Sequence, residues 1–115
     1  MREQIGGDMN HGQDDTVLEE ATQRLVTEFG PSKIYLFGSR SRGDASPDSD
    51  YDFLVVVPSS DERPLRRAQR AYRALRDLGI AKDVIVTTTE CFDRMKILEA
   101  SLEHEVATEG RLLYG

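Results

Sequence analysis

The chain holds a single cysteine, Cys91, among 115 residues, so no internal disulfide can form, and no Cys or His lies beside it at metal-ligand spacing. It reads as a half-buried small hydrophobe. The two histidines, His11 and His104, fall in no ligand pattern either. No apolar run approaches eighteen residues, and no charged, then apolar, then small-residue leader opens the chain. These absences exclude a membrane-spanning helix and a secretory signal. A cytoplasmic protein with no membrane association is expected. Positive charge is in deficit, with 15 Lys and Arg against 21 Asp and Glu for a net −6. Because a phosphate backbone selects a positive face, direct nucleic-acid binding is not expected. An anionic substrate must therefore be received by a local device. There is no internal repeat, and the length suffices for one modest core but not for two.

What is present reads as a small α/β unit. Residues 1–13 contain three glycines and no periodicity, which predicts a disordered leader ahead of a single domain over 14–115. Thr16 with Glu19 three residues on has the spacing of a capping box, and Leu18, Ala21, Leu25 and Phe29 recur at helical spacing up to a Gly30-Pro31 stop. Lys33 to Phe37 is predicted as one strand and Tyr51 to Val57 as a second, ended by Pro58. Leu65, Ala68, Tyr72 and Leu75 mark another helix, and Val84 to Thr87 is a third, β-branched strand. From Glu90 to about Glu109 the apolar spacing predicts one or two helices stopped at Gly110. The expected fold is α/β with a small mixed sheet of at least three strands flanked by helices.

The segment G-S-R-S-R-G-D-A-S-P-D-S-D-Y-D-F-L-V-V-V, residues 38–57, places two carboxylates at the leading end of an otherwise apolar strand. Side chains alternate, so Asp50, Asp52, Leu54 and Val56 share one face, the two acids about 7 Å apart. Like charges that close repel, and a divalent cation relieves the repulsion. Oxygen-only ligands suit Mg²⁺, which fills its remaining positions with water and substrate phosphate. Asp83 opens the third strand on the face of Ile85 and Thr87. If the two strands are neighbours, three carboxylates converge, a set able to hold two ions about 3.5–4 Å apart for in-line displacement at phosphorus. Ahead of them, Gly38 lets backbone N–H groups approach phosphate oxygens and Ser39 adds a hydroxyl; if Ser39 opens a helical turn, its N-terminus adds a favourable dipole. Arg40 and Arg42 are candidates to reach a polyphosphate, against the plainer reading of solvated side chains.

Gly38-Ser39, ten residues, then Asp50-x-Asp52, with Asp83 on a later strand, resembles the nucleotidyltransferase superfamily of DNA polymerase β. At background residue frequencies the Gly-Ser-x10-Asp-x-Asp spacing arises by chance in roughly one chain of this size per thousand. More narrowly, the segment resembles the minimal nucleotidyltransferases over about Ser32 to Tyr114. That resemblance implies a polymerase β palm-like fold and transfer of a nucleotide from ATP with two Mg²⁺ ions, Mn²⁺ being a possible substitute. It implies that Asp50 and Asp52 bridge both ions, that Asp83 completes the second site and takes the acceptor's proton, and that Gly38 and Ser39 hold the β- and γ-phosphates. It further implies a HEPN-domain toxin as partner, an RNase that receives AMP on a tyrosine, with this chain as the antitoxin. Two alternatives stand beside it: a nucleotidyltransferase acting on a small molecule, whose relatives carry extra helical domains to hold the acceptor, and a non-catalytic antitoxin acting by contact alone.

Other features have bland readings. Arg63, Arg66, Arg67, Arg70, Arg73 and Arg76 stud the middle helix, and Arg66, Arg70 and Arg73 share a face. That face is first a solvated one, then a candidate docking surface for an acidic partner, and last an RNA contact. Glu99, Glu103, Glu105 and Glu109 read as surface, and Asp44 and Asp48 as turn formers.

Overall fold

A strand with apolar residues on both faces is stable only when both are covered. Tyr51–Val57 meets that condition in the structure, a computed structural model that describes residues 16–43, 45–46 and 49–115 in full and residues 5–15 by backbone alone. This strand, β2 in chain order, pairs antiparallel with β1 (Lys33–Phe37) and parallel with β3 (Lys82–Thr88), while a short β4 (Arg111–Tyr114) adds antiparallel to the far side of β1. The sheet order is β3-β2-β1-β4. Five helices accompany it among the described residues: α1 (Ile5–Phe29), α2 (Ser39–Arg42), α3 (Pro64–Ala74), α4 (Thr89–Met95) and α5 (Leu102–Glu109), with one 3₁₀ turn at Arg76–Leu78. Parallel strands need a crossover, and α3 supplies it between β2 and β3. None of these helices is long and apolar enough to cross a membrane.

The alternation of β2 divides the core in two. Tyr51, Phe53, Val55 and Val57 point to the layer of α1 and α3, where Leu18, Ala21, Leu25, Ala71 and Leu75 meet them together with Ile34, Leu36, Val84 and Val86. Leu54 and Val56 point the other way, onto Tyr35, Phe92 of α4 and Val106 of α5. Phe53 is fully buried; truncating such a ring to alanine costs about 3–5 kcal/mol. The second face is covered only along part of β2. At its leading end the residues on that face are Asp50 and Asp52 instead of apolar side chains.

Several boundaries differ from expectation. Helix α1 begins at Ile5, so Thr16 lies inside it and does not cap it: the run Gln13-Asp14-Asp15 contains nothing that breaks a helix, and the local capping signal is overridden. The leader expected at 1–13 and His11 otherwise lie outside the fully described residues, as do Asp44 and Asp48. The Gly30 stop is as expected, with φ +54 and its N–H on the Val26 carbonyl at 2.8 Å. The region 90–109 forms two helices. Strand β4 is an addition to the expected elements, because four residues whose side chains are mostly exposed carry no buried-face pattern. Leu65, expected on the apolar face of α3, is exposed.

The arginine face is partly engaged within the chain. Arg70 donates through Nε to Glu28 Oε2 at 2.9 Å and through Nη2 to the Glu28 carbonyl at 2.9 Å, and its Nη1 pairs with Glu62. Its guanidinium lies 4.7 Å from the ring centre of Phe29. Arg67 donates to the carbonyls of Val86 at 3.1 Å and Glu62 at 2.7 Å. These two side chains tie α3 to the end of α1 and to the sheet, while Arg66 and Arg73 of the same face are exposed. Replacing Arg70 by alanine is expected to lower the unfolding free energy by about 1–3 kcal/mol, and replacing exposed Arg66 to change it by less than about 0.5 kcal/mol; urea denaturation of both variants measures the contrast.

Candidate active site

Three chain segments meet at the leading end of β2. The first is the end of β1, where Phe37 is registered against Asp52. The next residue, Gly38, adopts φ +78 and ψ −158, a conformation open in practice only to glycine. A methyl group there would also strike Asp52 Oδ2. The backbone thus passes against the carboxylate with no room for a side chain. The Gly38 carbonyl then accepts from the Ser41 and Arg42 N–H groups at 3.1 and 3.3 Å and from Ser41 Oγ at 2.9 Å, which starts α2 at Ser39, the turn that is only a condition in the sequence. Gly43, at φ +82, ends this single turn.

The second segment carries Asp50 and Asp52. Arg40 prepares its approach: Nε donates to the Ser49 carbonyl at 3.1 Å, Nη2 to that of Ser46 at 3.5 Å, and the guanidinium stacks 3.9 Å from the ring centre of Tyr51. Arg40 is therefore engaged with the chain that leads into β2, on both sides of Asp50. Arg42 is exposed.

The third segment is β3. Its parallel register sets Asp83 beside Asp52, so the strand neighbours required for the acids to meet are neighbours. Burial, followed by the charge of Asp83 and then that of Asp50, pushes the Asp52 carboxyl above its ordinary value of 3.8. Among the described residues no three of His, Cys, Asp and Glu already stand as a ready set of metal ligands. The acids meet through their charges, and one oxygen of Asp83 is taken by the Tyr72 hydroxyl at 2.8 Å. Tyr72 is the site residue that sequence reasoning misses. Its spacing assigns it to the apolar stripe of α3, although a tyrosine there also brings a hydroxyl that seeks a polar partner.

The acidic cluster lies beside a glycine-lined backbone at one end of a mixed sheet. A profile of the family described as "Nucleotidyltransferase domain" matches residues 18–109, a span that holds every segment of this site. The chain belongs to the nucleotidyltransferase domain family. It is similar to a provisionally named protein adenylyltransferase of Methanocaldococcus jannaschii, 34% identical over 103 residues that cover 88% of this chain and 98% of the relative. It is also similar to the protein adenylyltransferase MntA of Aphanizomenon flos-aquae, 29% identical over 84% of this chain and 66% of that one. Among solved structures, a provisionally assigned nucleotidyltransferase from Sulfolobus solfataricus superposes with a TM-score of 0.56 at 28% identity, covering 69% of this chain and 70% of the other. A structure described as a toxin-antitoxin with AMP-PNP shares the fold, with a TM-score of 0.55 at 23% identity over 85% and 73% of the two chains. This nucleotidyltransferase is thus a transferase enzyme on the expected mixed α/β fold.

Two outcomes test the geometry. Gly38→Ala is expected to cost about 1–3 kcal/mol from backbone strain and to displace Asp52, which differential scanning calorimetry and nucleotide titration together report. For Asp52 the sign is fixed by its raised folded-state pKa. Its stabilising contribution is present below the unfolded value of 3.8 and is lost as pH rises through the folded value, so the ionised group opposes folding at neutral pH. In chelator at pH 7, Asp52→Asn should melt about 1–3 °C higher than the parent, a modest rise because solvent screens a half-exposed group. The difference should vanish below pH 3.8, and a variant that melts lower at pH 7 would show that Asp52 serves the fold.

Proposed function

We propose that this nucleotidyltransferase is a Mg²⁺-dependent protein adenylyltransferase that moves AMP from ATP to a tyrosine of a HEPN-domain RNase toxin and so acts as its antitoxin in the cytoplasm. The observation that carries this reading is the likeness to a protein adenylyltransferase along 98% of that relative's length, together with the register that sets Asp83 beside Asp52. The toxin partner is supported by the MntA relative and by a solved complex described as the toxin-antitoxin MntA-HpeT, which shares the fold at a TM-score of 0.54 and 21% identity.

The donor set fits magnesium. Its oxygens are all carboxylate, and Asp52 is held above its ordinary pKa by burial and by two neighbouring acids, a cost that a cation removes. Asp50, Asp52 and Asp83 would hold two ions, with Mn²⁺ able to replace Mg²⁺. When bound, the metal neutralises phosphate charge and lowers the pKa of the acceptor hydroxyl. The chain's own residues do the rest. The Gly38 backbone, with no side chain in the way, and the Ser39 hydroxyl at the start of α2 receive the β- and γ-phosphates. Arg40 keeps Asp50 at the mouth of the site by holding Ser46 and Ser49. The acceptor oxygen bonds to the α-phosphorus, the bond from that phosphorus to the β-bridging oxygen breaks, pyrophosphate leaves, and Asp83 takes the acceptor's proton.

Incubated with α-labelled ATP, Mg²⁺ and its HEPN-domain partner, the chain should add one AMP mass to a partner tyrosine. Asp83→Asn should slow this at least about 100-fold, in the range set by removing a general base, while the protein complex still forms. If the wild type silences its partner without nucleotide and with no mass change, the contact-only alternative replaces this reading.

A further inference from the structure

Strand β3 pairs with β2 on one side, and its other side meets the hydroxyl of Tyr72. Alternation puts Val84 and Val86 in the layer of α1 and α3, while Asp83 belongs to the opposite face with Ile85. Tyr72 comes from α3, on the first of these layers. Its hydroxyl nevertheless reaches Asp83, because it passes round the outer edge of the strand: it accepts the Val84 N–H at 3.2 Å and donates to Asp83 Oδ1 at 2.8 Å. A phenol has one proton to give and lone pairs to receive. The backbone contact orients the hydroxyl, so the proton points at the carboxylate. Tyr72 is 37% exposed, and its phenol is a donor as well as an acceptor.

The geometry points to Tyr72 as a positioning residue for Asp83: the hydroxyl, braced on the Val84 amide at the edge of β3, holds one carboxylate oxygen and leaves the other to face Asp52. This rests on the reading of Asp83 as the third acid of the nucleotidyltransferase site. Without the brace Asp83 is an exposed side chain at the second position of an edge strand, free to rotate into solvent. The brace reduces the rotamer entropy lost when Asp83 takes up its ligand position.

The experiment uses the full chain and two readouts. Amide hydrogen exchange at Val84 reports the brace, and calorimetric binding of a non-hydrolysable ATP analogue at increasing Mn²⁺ reports the acids. Tyr72→Phe should accelerate Val84 exchange and raise the Mn²⁺ concentration for half-maximal binding about 10-fold, the scale seen when a group that orients a metal ligand is removed. Replacing Tyr72 by p-aminophenylalanine restores a donor on the same ring and should bring the Mn²⁺ requirement back to within about two-fold of the parent. That rescue separates positioning from general damage to the fold. The inference is overturned if Tyr72→Phe leaves the Mn²⁺ requirement unchanged while Asp83→Asn raises it, or if the rescue variant refolds to the parent's melting temperature and still binds like Tyr72→Phe. If Asp83→Asn itself leaves the requirement unchanged, the underlying reading of Asp83 fails.

Discussion

The parallel pairing of β2 with β3 sets two aspartates side by side at the same level of the sheet. Like charges directly across a strand pair oppose the pairing that creates them. The opposition is outweighed further along the same two strands, where Phe53 through Val57 on one side and Val84 and Val86 on the other are buried. Apolar burial in the body of the sheet thus imposes an unfavourable charge arrangement at its end. Gly38 tightens the constraint, since its backbone lies against Asp52 and limits how far that carboxylate can swing away. The arrangement is unfavourable as a piece of protein, and under the proposed function a bound cation would relieve it.

Much of this is legible in the sequence because it depends on local pattern. The strands at 33–37 and 51–57 agree with their sequence boundaries, since a run of apolar β-formers between glycine, proline and charge has few other solutions. The facing of Asp50 and Asp52 follows from period two alone. The pairing of β3 with β2 is a condition in the sequence and becomes a fact only in three dimensions, because no spacing in one chain reveals which strands touch. Strand β4 is invisible for a related reason: it is held by its backbone against β1, and backbone hydrogen bonds leave no mark on residue choice. The start of α1 escapes the sequence pattern because a capping box signals where a helix can begin and does not forbid a turn upstream.

Arginine is the residue type least readable from sequence. Arg40, Arg67 and Arg70 sit in contexts that look equally basic, and all three serve the frame. One pins the loop into β2, one binds carbonyls of β3 and of residue 62, and one joins α1 to α3 through Glu28 and Glu62. A guanidinium has five donors in a rigid fork, which makes it as useful for gathering carbonyls as for receiving phosphate. Its partners decide between the two, and partners are a property of the fold.

The hydroxyl of Tyr72 on the Val84 amide also alters what β3 presents to other molecules. A strand at the margin of a sheet offers a row of backbone donors and acceptors onto which a foreign strand can be laid. In β3 one of those rungs is already taken, and the ring that takes it lies across the path with the Lys82 ammonium 6.0 Å from its centre. An intruding chain would have to displace an aromatic side chain and approach a positive charge before forming its first hydrogen bonds. The same hydroxyl that contacts Asp83 thus shields the margin of the sheet from unintended pairing.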